Sequence, residues 1–378
     1  MTLFVDQSGQ IGGAELCLAD LAAGRPNSRV LLFSDGPFAS LLKGRSIPVE
    51  LLPLPVTAAR VTKSASLINL TASLPSLLLY VEKLARRMKR VDVVYLNTAK
   101  ALVYGAAANL LSRRPAVFHL HDLLDASHFS KANLRVLLTA ANRMDLVIAN
   151  SRSVADAFRS QGGRTRTEVI PNGFDPQAFT GIAETEIAAL HSQWNPKQQP
   201  VITIFGRLTR WKGQHVLLQA AERVPGTTIW IVGEALFTDD DRAYAEELRK
   251  LAHPLGSRVH FLGFRKDIPA LMAASDIVAH CSTAPEPFGR VLVEAMLAGK
   301  PVVASDAGGP REIVVPGETG LLIPPGNPER LAAALGELIA SSDLRHSMGR
   351  AGRDRAIQLF SLAIVQQQTS ALLDELTR

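Results

Sequence analysis

Two glutamates eight positions apart in Pro285-Glu286-Pro287-Phe288-Gly289-Arg290-Val291-Leu292-Val293-Glu294 are the strongest chemical signal in this chain. A carboxylate accepts two hydrogen bonds from a vicinal diol, so one glutamate suits a ribose and the other a hexose. Gly289 lets the backbone approach a ligand. A helix opening beside it offers unpaired N–H groups to an anion such as pyrophosphate. Gly206-Arg207-Leu208 and Trp211-Lys212-Gly213 add two cations, arginine as a planar fork for phosphate and lysine as a compact point charge. His119-Leu120-His121-Asp122 closes an apolar run, and strand alternation puts both histidines on one face. His119 equally fits a structural role; His121 lies nearer the strand end. Asp239-Asp240-Asp241 invites a metal reading through its clustered carboxylates, but it matches a solvated helix start better.

Elements able to hold these groups alternate along the chain as short Val/Ile-rich runs and helical patterns, the mark of parallel sheets built from βαβ units. In the first half the expected strands are Thr2–Asp6, Arg29–Phe33, Val91–Leu96, Ala116–His121, Leu146–Ala149 and Glu168–Ile170. In the second they are Val201–Phe205, Thr228–Val232, Val259–Leu262, Ile277–Ala279, Pro301–Ala304 and Gly320–Ile323. Gly12-Gly13-Ala14-Glu15 follows the first strand and opens a helix, a weak signal alone. Gly233-Glu234 and Gly263-Phe264-Arg265 end two strands of the second half. The turn-rich Pro171-Asn172-Gly173-Phe174-Asp175-Pro176 and the polar stretch after it place a hinge at about residues 175–198. Two doubly wound α/β domains are expected, with ligands at the carboxyl ends of the strands.

The 378 residues exceed one compact core, and 47% apolar with 20% charged residues describe a globular chain. The two cysteines, Cys17 and Cys281, make no disulfide framework and suit a reducing cytoplasm. MTLFVDQSG does not read as a signal peptide, and no apolar run approaches a membrane span. Residues 1–180 hold 21 Lys and Arg against 13 Asp and Glu, a net of +8, whereas the remainder is net −2. A basic first half points to an anionic partner such as a membrane surface, and no nucleic-acid motif accompanies it. In the pattern Leu77 to Arg90, the stripe Leu77, Leu78, Val81, Leu84 and Met88 runs beside Lys83, Arg86, Arg87, Lys89 and Arg90. It suits either anionic lipid or a helix packed on the sheet. Asn69-Leu70-Thr71 is a glycosylation sequon, idle in the cytoplasm.

The Glu–seven residues–Glu pattern, with Ala298-Gly299-Lys300-Pro301-Val302-Val303 and Gly308-Gly309, resembles the family 4 glycosyltransferases of GT-B fold over nearly the whole chain. The resemblance implies two Rossmann-like, doubly wound domains facing a cleft. Residues 1–180 would bind the acceptor, residues 181–360 the nucleotide-sugar donor, and a C-terminal helix over 361–378 would return to the first domain. It assigns Glu286 to the donor sugar, Glu294 to the ribose hydroxyls, and the backbone around Phe288, Gly289 and Val291 to sugar and phosphate. Arg207 and Lys212 would stabilise the charge developing on the leaving phosphate. Gly13 belongs to a loop closing over diphosphate and acceptor, and His121 would contact the sugar near the reacting carbon. Gly233 faces the donor pocket, while the backbone near Phe264 and Arg265 reads the base and favours uracil.

The implied reaction is transfer from a UDP-hexose or UDP-uronic acid with retention, without metal or other cofactor. The acceptor would be a glycan or lipid-linked hydroxyl, in exopolysaccharide or lipid-linked glycan assembly. The place would be the cytoplasm, at the inner membrane face, with no nucleic-acid partner. Two departures stand out. Arg290 replaces an apolar residue common in relatives and could pair with a phosphate or an acidic sugar, or face solvent. Gly309-Pro310-Arg311-Glu312 lacks the family's proline beside its last glutamate. A GT-B protein that binds nucleotide sugars without turnover, or an epimerase or hydrolase of the same fold, is the alternative.

Overall fold

Runs of Val, Ile and Leu on successive positions form strands buried on both faces, as in β1 (Thr2–Asp6) and β8 (Val201–Phe205). The computed structural model describes residues 1–55, 74–125, 129–235 and 238–378. The chain divides into two compact units, one of Met1–Gly173 with Leu362–Arg378, the other of Phe174–Ser361.

The first unit adds β2 (Ser28–Leu32), β3 (Val49–Leu51), β4 (Val93–Leu96), β5 (Ala116–Leu120), β6 (Leu146–Ala149) and β7 (Thr167–Val169). Their order in the sheet is β3-β2-β1-β4-β5-β6-β7. The pairs β1 with β4 and β4 with β5 are parallel, with Leu96 opposite both Val5 and Phe118. That register brings the residues just past β1, β4 and β5 to one edge. Sequence periodicity misses β3, a three-residue edge strand no more than half-buried, which carries no apolar run to announce it.

The second unit adds β9 (Thr228–Val232), β10 (Val259–Gly263), β11 (Ile277–His280), β12 (Val302–Ser305) and β13 (Gly320–Ile323), all parallel, in the order β10-β9-β8-β11-β12-β13. Both sheets are therefore doubly wound Rossmann-like sheets that reverse direction at one point, between β1 and β4 and between β8 and β11. Open α/β sheets bind ligands at the carboxyl ends of such a reversal.

Helix Leu74–Met88 buries Leu77, Tyr80, Leu84, Ala85 and Met88, at the spacing of one helical face. The expected stripe needs correcting at Leu78, which is 62% exposed and does not join that face; its neighbour Leu79 is 51% exposed. The sequon Asn69-Leu70-Thr71 lies outside the described residues. Helix Leu362–Glu375 belongs to the first unit, where Gln366 Nε2 donates to the Asp20 carbonyl at 2.7 Å and Arg25 pairs with Asp374 at 2.7 Å. Among the described residues no helix is long and apolar enough to cross a membrane.

Candidate active site

The second unit concentrates its chemistry around the reversal between β8 and β11. Beyond β8 the chain passes Gly206 and exposed Arg207, then turns through Arg210–Lys212. Lys212 Nζ donates to both carboxylate oxygens of Glu286, at 2.9 and 2.7 Å. Glu286 is also held by His280 Nε2 at 3.2 Å, from the last residue of β11, and by Ser282 Oγ at 3.0 Å, just beyond it. Burial opposes ionisation of Glu286, but Lys212 and His280 outweigh it and hold the carboxyl well below its usual range. The Thr283 N–H donates to the Trp211 carbonyl at 2.8 Å, locking the two loops together. Gly308 is forced by this packing: a Cβ there would lie 2.2 Å from the Glu286 carbonyl oxygen.

Glu294 stands one turn into helix Arg290–Leu297, which opens at Gly289 with φ +105°. Arg290 lies four residues before it, and its Nη2 is 3.5 Å from Glu294 Oε1. Burial raises the Glu294 carboxyl, and Arg290 opposes that rise. The Arg290 guanidinium rests 4.4 Å over the Phe174 ring, with Nη1 buried and unpartnered among the described residues. Arg290 therefore does not face solvent. Each glutamate of the motif has its own cation, Lys212 for Glu286 and Arg290 for Glu294.

The remaining expected positions of this unit are more scattered. The Phe288 ring is core, stacked on Phe174 at 6.4 Å and edge-on to Phe360 at 5.9 Å, which leaves only its backbone for a ligand; Val291 is half-buried. Gly233 sits beyond β9 with φ +141°, where a Cβ would meet the Gly206 carbonyl oxygen at 2.0 Å. Its N–H donates to the Gly263 carbonyl at 2.9 Å. Phe264 is 60% exposed, and Arg265 Nε pairs with Asp267 at 2.8 Å, which directs the guanidinium at its own loop. Asp239, Asp240 and Asp241 occupy the exposed first turn of helix Asp239–Ala252, capped by Thr238. Among the described residues no group of three or more His, Cys, Asp or Glu is placed to hold a metal ion.

In the first unit, Gly13 begins helix Gly13–Ala23 directly after the loop beyond β1. His121 follows β5, with Nε2 2.9 Å from Asn97 Oδ1, and its ring centroid lies 3.8 Å from that of His119. His119 is buried against the Tyr95 hydroxyl at 2.6 Å. Burial first, and His121 second, push His119 well below its ordinary pKa. Asp6 is raised to about 7 by burial and then by the charge of Glu15, with Asn97 and the Ser8 and Gln7 amides pulling it back. Asp6, Asn97, Phe174, His280 and Ser282 join these sites without belonging to any of the chemical motifs in the sequence. All but Phe174 are polar residues at the end of a buried strand or just past it, and that position is the signal that could have found them.

Residues 187–355 match the family described as Glycosyl transferases group 1, and residues 11–178 match Glycosyltransferase Family 4. The chain is 30% identical over 219 residues to the lipopolysaccharide core biosynthesis glycosyltransferase LpsE of Rhizobium meliloti, a match spanning 57% of this chain and 60% of LpsE. It is 30% identical over 306 residues to a GDP-mannose-dependent alpha-(1-6)-phosphatidylinositol monomannoside mannosyltransferase of Mycolicibacterium smegmatis, covering 75% of this chain and 78% of that protein. The crystal structure of HepE from Anabaena in complex with UDP and glucose superposes with a TM-score of 0.89 at 43% identity, over 99% of each chain.

Proposed function

The chain belongs to glycosyltransferase family 4, with the GT-B fold, and on that premise we propose that it moves a hexosyl or hexuronosyl group from a UDP-sugar to an acceptor hydroxyl with retention of configuration. The observation that carries this reading is the pairing of Glu286 and Glu294 with separate cations on either side of the Gly289 helix start. In this reading Glu294 accepts from the ribose hydroxyls, Arg207 and Lys212 meet the diphosphate, and Glu286 orients the sugar. The bond from the anomeric carbon to the β-phosphate oxygen breaks. The acceptor oxygen bonds to that carbon on the same face, and the acceptor proton passes to the leaving phosphate. Cations fixed beside that phosphate stabilise the transition state more than the bound donor. No resident metal or cofactor enters the scheme.

HepE has also been solved with UDP-glucose, which supports a UDP-linked donor here, and the names of the relatives support a role in glycan assembly. The first unit is assigned the acceptor, with His121 meeting the sugar near the reacting carbon and the Gly13 loop closing over diphosphate and acceptor. Its exposed Leu78 and Leu79, near Lys83 and Arg86 on one helix, suit an anionic membrane face at which a lipid-linked acceptor would be met. Co-sedimentation with vesicles that ignores their anionic lipid content would remove that element.

Calorimetric titration with UDP, GDP and ADP in EDTA, beside Glu294→Ala, tests the whole. Tight UDP binding without metal, weakened about 10–100-fold in the variant by loss of charge-assisted hydrogen bonds, is the expected result. No nucleotide binding would overturn it. The anomeric proton spectrum of the product then decides retention, and donor hydrolysis without transfer to any acceptor would replace the transferase with a hydrolase.

A further inference from the structure

Three neighbouring strands of the first sheet end in a line of polar side chains: Asp6 closes β1, Asn97 follows β4 and His121 follows β5. Asn97 is 1% exposed, and its amide joins all three. Asn97 Nδ2 lies 2.7 Å from Asp6 Oδ2 and 3.1 Å from the Ala14 carbonyl oxygen, and Asn97 Oδ1 lies 2.9 Å from His121 Nε2. We propose that Asn97 is a positioning residue that holds His121 in one tautomer and one orientation, with Asp6 and the Ala14 carbonyl fixing Asn97 in turn. The inference rests on the reading above in which His121 meets the sugar.

Donors and acceptors fix the orientation of the Asn97 amide. A backbone carbonyl oxygen has no proton, so the atom of Asn97 facing Ala14 must be its NH2 group. A flipped amide would set oxygen against oxygen there, whatever the protonation of Asp6. Once the NH2 group serves Ala14 and Asp6, Oδ1 is left to His121, and an amide oxygen only accepts. His121 Nε2 therefore carries a proton, and the neutral ring has Nδ1 as its acceptor nitrogen. From the next strand, Asn150 Nδ2 donates to the His121 carbonyl at 3.4 Å and steadies its backbone. The arrangement also joins two regions distant in sequence. Ala14 lies in the first turn of helix Gly13–Ala23, so a single buried amide sets that helix start and the histidine relative to each other.

The titratable groups around this network are Asp6, Glu15, Asp122 and His119. His119, beside His121 and kept neutral by burial, adds no positive charge. Asn97 thus determines which nitrogen of the His121 ring bears its proton.

The test uses the full-length protein and reads the His121 ring nitrogens by NMR, with His121→Gln assigning the signals. The native protein should show a neutral His121 protonated at Nε2. Asn97→Ala should replace this with exchanging tautomers, lower transfer by roughly 10–100-fold, as loss of a group orienting a functional histidine does, and leave UDP affinity within about twofold. Asn97→Ser, which offers a hydroxyl but cannot span from Asp6 to His121, should behave alike and serves if Asn97→Ala misfolds. Asn97→Asp keeps an acceptor toward His121 and should hold the ring protonated at Nε2, the tautomer that Asn97→Ala loses.

An unchanged Nε2 tautomer in Asn97→Ala or Asn97→Ser overturns the inference, as does native transfer by either variant. Native transfer by His121→Gln would instead overturn the role given to His121. The tautomer measurement does not depend on that role, so the two failures can be told apart.

Discussion

Asp6 and Glu286 are buried carboxylates at the reversal points of two sheets wound in the same strand order, and they hold their protons oppositely. Both lose water on folding, which favours the neutral acid. Asp6 is met by the amide of Asn97 and by backbone N–H groups, while Glu15 stands as a like charge; burial prevails, and the carboxyl is raised to about 7. Glu286 is met by Lys212 on both oxygens, and the cation overrides a similar penalty. The comparison teaches that topology selects where a polar group is buried, whereas the formal charge of its nearest partner selects the protonation state. A carboxylate kept ionised suits persistent contact with polar hydroxyls; one poised near neutrality suits a network of amides.

The strongest way to break the contrast is to remove the cation. Lys212→Met should leave Glu286 buried with only His280 and Ser282, raise its pKa, and cut transfer by roughly 10²–10³-fold through loss of charge stabilisation at the phosphate. Steady-state kinetics with saturating donor checks the rate. The sign of the stability effect follows from linkage. Glu286 is depressed in the folded state, so it contributes stability that is present above its unfolded value and lost as pH falls through the folded one. Urea melts of the native protein should therefore weaken with acid below about pH 4.5, the unfolded reference, and Lys212→Met should flatten that arm.

The converse change acts on Asp6 and is smaller. Its folded pKa lies above its unfolded value of 3.8, so the folded state binds the extra proton. Stability should fall as pH rises from about 4 through about 7, by at most a few kcal/mol. Asp6→Asn cannot titrate, so that slope should shrink; an unchanged slope would mean that Asp6 is not the group responsible. The smallest expected effect lies at Arg290. Phe174→Leu removes the ring beneath the guanidinium and should weaken UDP binding by about 0.5–2 kcal/mol, the range of such cation–π contacts, measured by calorimetry.

The sheet scaffold was largely legible because strands buried on both faces are written in contiguous Val/Ile-rich runs. Thr2–Asp6, Leu146–Ala149, Val201–Phe205, Thr228–Val232 and Gly320–Ile323 agree to the residue with the expectation. Edge strand β3 was not legible, since a half-buried strand of three residues needs no apolar run. Leu78 adjoins Leu77 in sequence, yet only the arc occupied by Leu77, Tyr80, Leu84 and Met88 is covered by the rest of the unit.

By itself, the sequence determined the doubly wound architecture and the local chemistry of the Glu286 to Glu294 segment, whose glycine, helix start and second glutamate are near neighbours in the chain. Tertiary structure alone decided the partners. Asn97 and Asp6 lie 91 residues apart and meet only because β4 pairs with β1, and Lys212 reaches Glu286 across 74 residues because β11 lies beside β8. A buried group's protonation and orientation depend on the charges and hydrogen bonds brought within a few ångströms, and it is strand order, not sequence proximity, that brings them there.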